Sequence, residues 1–169
     1  MIPTFDQLLR PLLAIAAEKK ITRRTATEEM ATTFKLTPDE ATQRIPSGAS
    51  TLIGNRCGWA MTFLTKAALI SKVEKSTYAA TESGKQFLLS HPQVITHANL
   101  KLVPGWHQSW ELGRQKRREK KGVVVANDAP DVLSTSTPEE AISEGIKTLE
   151  SDLRSRLLTA VLEQSPEFS

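Results

Sequence analysis

The sequence predicts an α+β fold, mostly helical, with a C-terminal helical extension. Three observations carry this. Apolar residues recur at helical spacing along most of the chain, and the period drops to two only over residues 70–80. Charge then divides the chain: residues 1–122 hold 19 basic and 10 acidic residues, whereas residues 123–169 hold 3 and 9. That asymmetry suggests two units with different tasks, and the basic unit is the candidate for a polyanionic partner. The 169 residues are 39% hydrophobic and 24% charged, a globular composition with a formal net charge of +3.

The first helix starts at the capping box Thr4-Phe5-Asp6-Gln7 and carries the stripe Leu8, Leu9, Leu12, Leu13, Ile15 and Ala16. Pro11 falls inside it, so a bend or a late start is expected. A second helix over residues 22–34 is expected to bury Ala26, Met30, Ala31 and Phe34 together with Ile21 just before it. Thr37-Pro38-Asp39-Glu40 opens a short third segment, ended by the loop at Pro46-Ser47-Gly48.

The next long helix spans residues 51–69. On a wheel of 100° steps, Ile53, Cys57, Ala60, Leu64 and Ala67 fall within about 80° of one another and form the core face. Asn55, Trp59, Thr62 and Lys66 gather on the opposite side, a polar and basic face with one large aromatic. Residues 70–74 and 77–80 then read as two short strands joined by a turn at Lys75-Ser76. Thr81-Glu82-Ser83-Gly84-Lys85 starts another helix, which His91-Pro92 stops. Three helices, a hairpin and a helix is the layout of a winged helix-turn-helix, with a recognition helix followed at once by its wing.

Beyond this domain, residues 1–92, lies an extension over residues 93–122. Trp106, Trp110 and Gly113 recur there at helical spacing, ahead of a run with six basic residues in the eight positions 114–121. Residues 123–137 read as a linker. Residues 138–169 form a final helix that opens on the box Thr137-Pro138-Glu139-Glu140. Its stripe of Ile142, Ile146, Leu149, Leu153, Leu157 and Val161 requires a covering surface: a homodimer through this helix is expected, and folding back on its own domain is the alternative.

Several residues are candidates for contacts with double-stranded DNA, each with a plainer reading beside it. Asn55 and Arg56 suit base edges or phosphates, because Asn and Arg pair bidentately with adenine and guanine. Alternatively, Arg56 ties its helix to a neighbouring loop. Trp59 offers a stacking surface, or is covered by the wing or a flanking helix. Thr62 and Lys66 fit phosphate contacts. Lys72 and Lys75 on the wing suit a groove, or are edge lysines that discourage strand pairing. Arg23 and Arg24 open the second helix toward backbone phosphates, or sit solvated. Arg114, Lys116, Arg117 and Arg118 add affinity by counterion release, or complement a helix C-terminus. Trp106 and Trp110 read as packing anchors.

Residues 3–92 resemble the N-terminal domain of the Mrr family of restriction endonucleases. The resemblance rests on Pro3-Thr4-Phe5-Asp6 with Pro11, on Leu36-Thr37-Pro38-Asp39-Glu40, and on the loop Ile45-Pro46-Ser47-Gly48. Above all it rests on Asn55-Arg56-Cys57-Gly58-Trp59-Ala60 running on to Phe63-Leu64 and Lys66-Ala67, then on Tyr78 and residues 81–85. Residues 137–168 are similar to the connector helix of that family, and Ser165-Pro166-Glu167-Phe168 looks like the opening of its nuclease domain. The resemblance implies target recognition on duplex DNA for a modification-dependent endonuclease, with Mg²⁺ belonging to the nuclease domain. A standalone winged-helix transcriptional regulator is the alternative, and a protein-interaction module a third reading.

Other classes are disfavoured. TIM-barrel enzymes usually need about 200 residues or more. Glu18-Lys19-Lys20 and Glu119-Lys120-Lys121 match a nuclease Glu-x-Lys string, yet both lie at helix ends rather than on strands. No carboxylate or cysteine stands at metal-ligand spacing from His91, His97 or His107 in the sequence. Cys57, the single cysteine, points into the core. No catalytic residue, metal site or cofactor is therefore expected in this chain. No apolar run approaches the roughly 18 residues of a membrane span, and the N-terminus lacks a secretory pattern. A cytoplasmic location is expected.

Overall fold

The computed structural model describes residues 1–121 and 137–163; the side chains at 114, 116–121, 162 and 163 lie outside the described set. In chain order the elements are α1 (Phe5–Glu18), β1 (Ile21–Thr22), α2 (Arg23–Thr33), α3 (Pro38–Thr42), α4 (Leu52–Lys66), β2 (Ile70–Glu74), β3 (Thr77–Ala80), α5 (Glu82–Ser90), α6 (His97–Lys101), α7 (Trp106–Lys121) and α8 (Pro138–Glu163). The architecture is α+β and mostly helical, with one small antiparallel sheet in the order β1-β3-β2.

Local chemistry sets the helix ends. The Gln7 side-chain carbonyl accepts the Thr4 amide at 2.8 Å, so α1 starts on time, with Pro11 accommodated inside it. Thr22, Thr37 and Thr51 cap α2, α3 and α4 through their hydroxyls. Both α2 and α4 end in Schellman turns. The Leu36 amide donates to the Ala31 carbonyl and the Leu69 amide to the Leu64 carbonyl, each at 2.9 Å. Lys35 and Ala68 take the left-handed position in these turns, with φ of 50° and 56°.

The core lies between α1 and α4. Leu8, Leu9, Leu12 and Leu13 of α1 meet Ile53, Cys57, Ala60 and Leu64 of α4, all buried. Helix α2 adds Ala26 and Met30, and the sheet adds Ile21 and Ile70. At the far end Phe63 forms the centre of an aromatic group. Its ring lies 4.9 Å from Phe5 and His97, and 5.5 Å from Trp106 and Trp110. Trp106 and Trp110 are therefore packing residues that hold α7 against α4.

Strand pairing follows the expected hairpin and adds a third strand. Lys72 and Ile21 both stand opposite Tyr78, and a bulge follows Lys72. Two residues of β1 are too few to show a period in sequence, so the sequence predicts only the hairpin. The hairpin returns the chain tightly onto α5. A Cβ on Gly84 would come within 2.0 Å of the Leu69 carbonyl oxygen, so glycine is required at this crossing.

Helix α8 touches the domain only near its start among the described residues. Thr137 is buried, whereas Ile142, Ile146, Leu149, Leu153, Leu157 and Val161 are all exposed. No described helix is long and apolar enough to cross a membrane.

Candidate nucleic-acid interface

Beside α4 runs a shallow groove of about 330 Å³, lined by Arg23, Gly58, Met61, Thr62, Thr65, Lys66 and Tyr78. Each wall has a local cause. Arg23 is the first residue of α2, so its side chain leaves the capped helix end and reaches across to α4. There it donates to the Gly54 carbonyl at 3.0 and 3.3 Å. Gly58 makes that crossing possible, because a Cβ there would meet the Arg23 guanidinium at 2.7 Å. Thr62 and Thr65 donate their hydroxyls back to the Gly58 and Met61 carbonyls at 2.9 and 2.7 Å, leaving oxygen lone pairs toward the groove. Tyr78 comes from β3, and its cross-strand neighbour Lys72 extends the same wall outward.

The electrostatics of this edge are positive. Lys72 and Lys75 are exposed on the hairpin, and neither enters an ion pair among the described residues. Arg24 is exposed and pairs with Glu28 at 2.9 Å within its own helix. Lys66 is held more firmly than a surface lysine: its ammonium donates to the Ser109 carbonyl at 2.9 Å and lies 5.3 Å from the Trp110 ring.

The structure divides the predicted contact residues into groups. Arg23, Thr62 and Lys66 come together at the groove, with Lys72 beyond Tyr78. Lys75 sits at the hairpin tip. Asn55 departs from its outward wheel position: it is only 5% exposed, and its side-chain oxygen has no partner. The wheel considers one helix, whereas the start of α8 packs beside this part of α4, with Glu140 on the neighbouring Arg56. The side chains of Arg114, Lys116, Arg117 and Arg118 lie outside the described residues, as do residues 122–136 and 164–169.

Arg56 and Trp59 meet the start of α8. The Arg56 guanidinium donates to one Glu140 carboxylate oxygen from Nε at 3.0 Å and Nη2 at 2.5 Å, and to the Pro3 carbonyl at 2.7 Å. Trp59 Nε1 donates to Glu139 at 2.5 Å. Glu140 serves twice, since its other oxygen accepts the Thr137 amide at 2.8 Å and closes the capping box. Burial alone would push this carboxyl up, but the Arg56 hydrogen bonds, the Thr137 amide and the Arg56 charge outweigh it and hold the carboxyl below its ordinary value. Its sequence signal was the box, which discloses a cap and nothing about Arg56.

Burial pushes the Cys57 thiol up to about 12, with slight relief from Thr27 and Arg23. Asp6 is raised by burial and partly relieved by the His97 amide. Among the described residues no three His, Cys, Asp or Glu side chains gather as a metal site.

The site and fold thus define a small helical domain with a three-stranded sheet and a basic groove beside its central helix. The chain belongs to the Mrr N-terminal domain family, whose pattern matches residues 5–90. It is also similar to the type IV methyl-directed restriction enzyme EcoKMrr of Escherichia coli strain K12, at 26% identity over 172 positions. That alignment covers 98% of this chain and 55% of the relative, so the chain spans about half the relative's length. No solved structure matches the chain.

Proposed function

We propose that residues 1–92 form a winged-helix domain that binds duplex DNA and supplies target recognition to an Mrr-like, modification-dependent restriction system. Residues 93–122 extend it, 123–137 link it, and 138–169 connect it onward. The observation that carries this reading is the groove, where Arg23, Thr62 and Lys66 converge beside α4. The strand order β1-β3-β2, with α4 directly before the β2–β3 hairpin, supports the winged-helix assignment. In that arrangement α4 enters a groove of the duplex, and the basic hairpin lies along the backbone. The relative's description as a methyl-directed restriction enzyme supports DNA as the partner. The chain's own role in this reading is binding, with strand cleavage assigned to a nuclease domain.

The exposed stripe on α8 supports pairing with a second copy, and the reading places the protein in the cytoplasm. The test of the DNA reading is competition between a labelled 30-base-pair duplex and single-stranded DNA of the same length. Preferential capture of the duplex supports the proposal. No capture of either at low salt contradicts it.

A further inference from the structure

The start of α8 lies against two of the side chains that α4 would use. Glu140 takes the Arg56 guanidinium and Glu139 the Trp59 indole N–H. The Arg56 and Glu140 side chains are 14% and 16% exposed, so the contact excludes most solvent. Carboxylate oxygens on a guanidinium occupy the positions that phosphate oxygens would take, because both anions accept from the same planar fork. Asn55, one residue before Arg56, is buried with its side-chain oxygen unpaired.

We propose that the first turn of α8 is an acidic cover on the reading face of α4, and that duplex DNA competes with Glu139 and Glu140 for Arg56 and Trp59. The inference rests on the DNA reading above. In the closed state Arg23, Thr62, Lys72 and Lys75 remain available for a first, backbone-directed encounter. Release of the cover then adds Arg56 and Trp59. A cover closed nine-tenths of the time lowers the apparent affinity about tenfold relative to an open chain.

The experiment uses the whole 169-residue chain and a fluorescent duplex at fixed ionic strength. Glu139→Gln with Glu140→Gln removes the charge of the cover. Gln still closes a capping box, so the helix start is retained. Glu144→Gln with Glu150→Gln makes the same charge change on the exposed part of α8. The expected result is about tenfold tighter binding for the first pair and less than twofold for the second. Equal gains from both pairs would reduce the effect to net charge and overturn the cover. Measurable binding that neither pair alters would overturn the cover and leave the DNA reading standing. Absence of duplex binding by all three proteins at low salt would overturn both.

Discussion

Arg56 and Glu140 stand 84 positions apart in sequence and form a largely buried ion pair, with the guanidinium Nη2 2.5 Å from the carboxylate. The pair fixes where α8 begins relative to α4. Its removal has a local consequence. Arg56→Ala should weaken docking of the first turn of α8 by about 1.5–3 kcal/mol, the range for hydrogen bonds to charged groups. Hydrogen exchange at residues 140–145 should accelerate by more than tenfold while α5 exchanges as before. Unchanged exchange there would show that the pair does not hold the helix.

The same pair predicts a pH response. The Glu140 carboxyl lies below its ordinary value of 4.5 in the folded protein, because its bonds to Arg56 and Thr137 outweigh its burial. A depressed carboxyl contributes stability that is present above the ordinary value and lost as pH falls through the folded value. Docking of α8 should hold at pH 6 and loosen below pH 4.5. Trp59, bonded to Glu139 in this contact, is a fluorescence reporter. Glu140→Gln should flatten the transition.

Two glycine and alanine exchanges should act in opposite directions. Gly84→Ala places a Cβ against the Leu69 carbonyl, where neither backbone can give way. A loss of about 3 kcal/mol is expected. Ala68→Gly relieves a left-handed alanine at the end of α4 and should gain about 1 kcal/mol. Urea denaturation of both variants decides the matter. A tolerated Gly84→Ala would contradict the close approach of α5 to Leu69.

Cys57 should resist thiol reagents in the native protein. It is fully buried and its thiol is pushed up to about 12, so the reactive thiolate is scarce at neutral pH. Labelling should proceed only at the rate of unfolding, and should become immediate in denaturant. Rapid native labelling would mean that α4 opens far more often than its packing implies.

The core was legible in sequence because α4 keeps one periodic apolar face. Ile53, Cys57, Ala60, Leu64 and Ala67 share a narrow arc and all are buried. The hairpin was legible from its period of two. Strand β1 was not, because two residues carry no period. The wheel turns Asn55 outward because it includes only its own helix, whereas the partners of Trp59 and Arg56 arrive 80 and 84 residues later. Tyr78 and Thr65 escaped notice as groove residues for a related reason. A lone aromatic on a strand and a threonine near a helix end gain meaning only when the sheet is folded beside α4.

The exposed stripe of α8 predicts self-association of the intact chain. Each apolar side chain returned to an interface contributes roughly 1.5–3 kcal/mol when fully buried. Leu149→Asp with Leu153→Asp should shift sedimentation from dimer to monomer at micromolar concentration. A wild-type chain that stays monomeric at high micromolar concentration would contradict pairing.

The salt dependence of duplex binding tests the central proposal most directly. Residues 1–122 carry a net charge of +9, and a groove reader neutralises several phosphates. Log affinity should fall linearly with log salt, by about 0.9 for each phosphate neutralised. Lys72→Ala with Lys75→Ala should reduce that slope by about 2 on every sequence tested. A flat salt response in the wild-type chain, or no duplex binding even at low salt, would contradict the account.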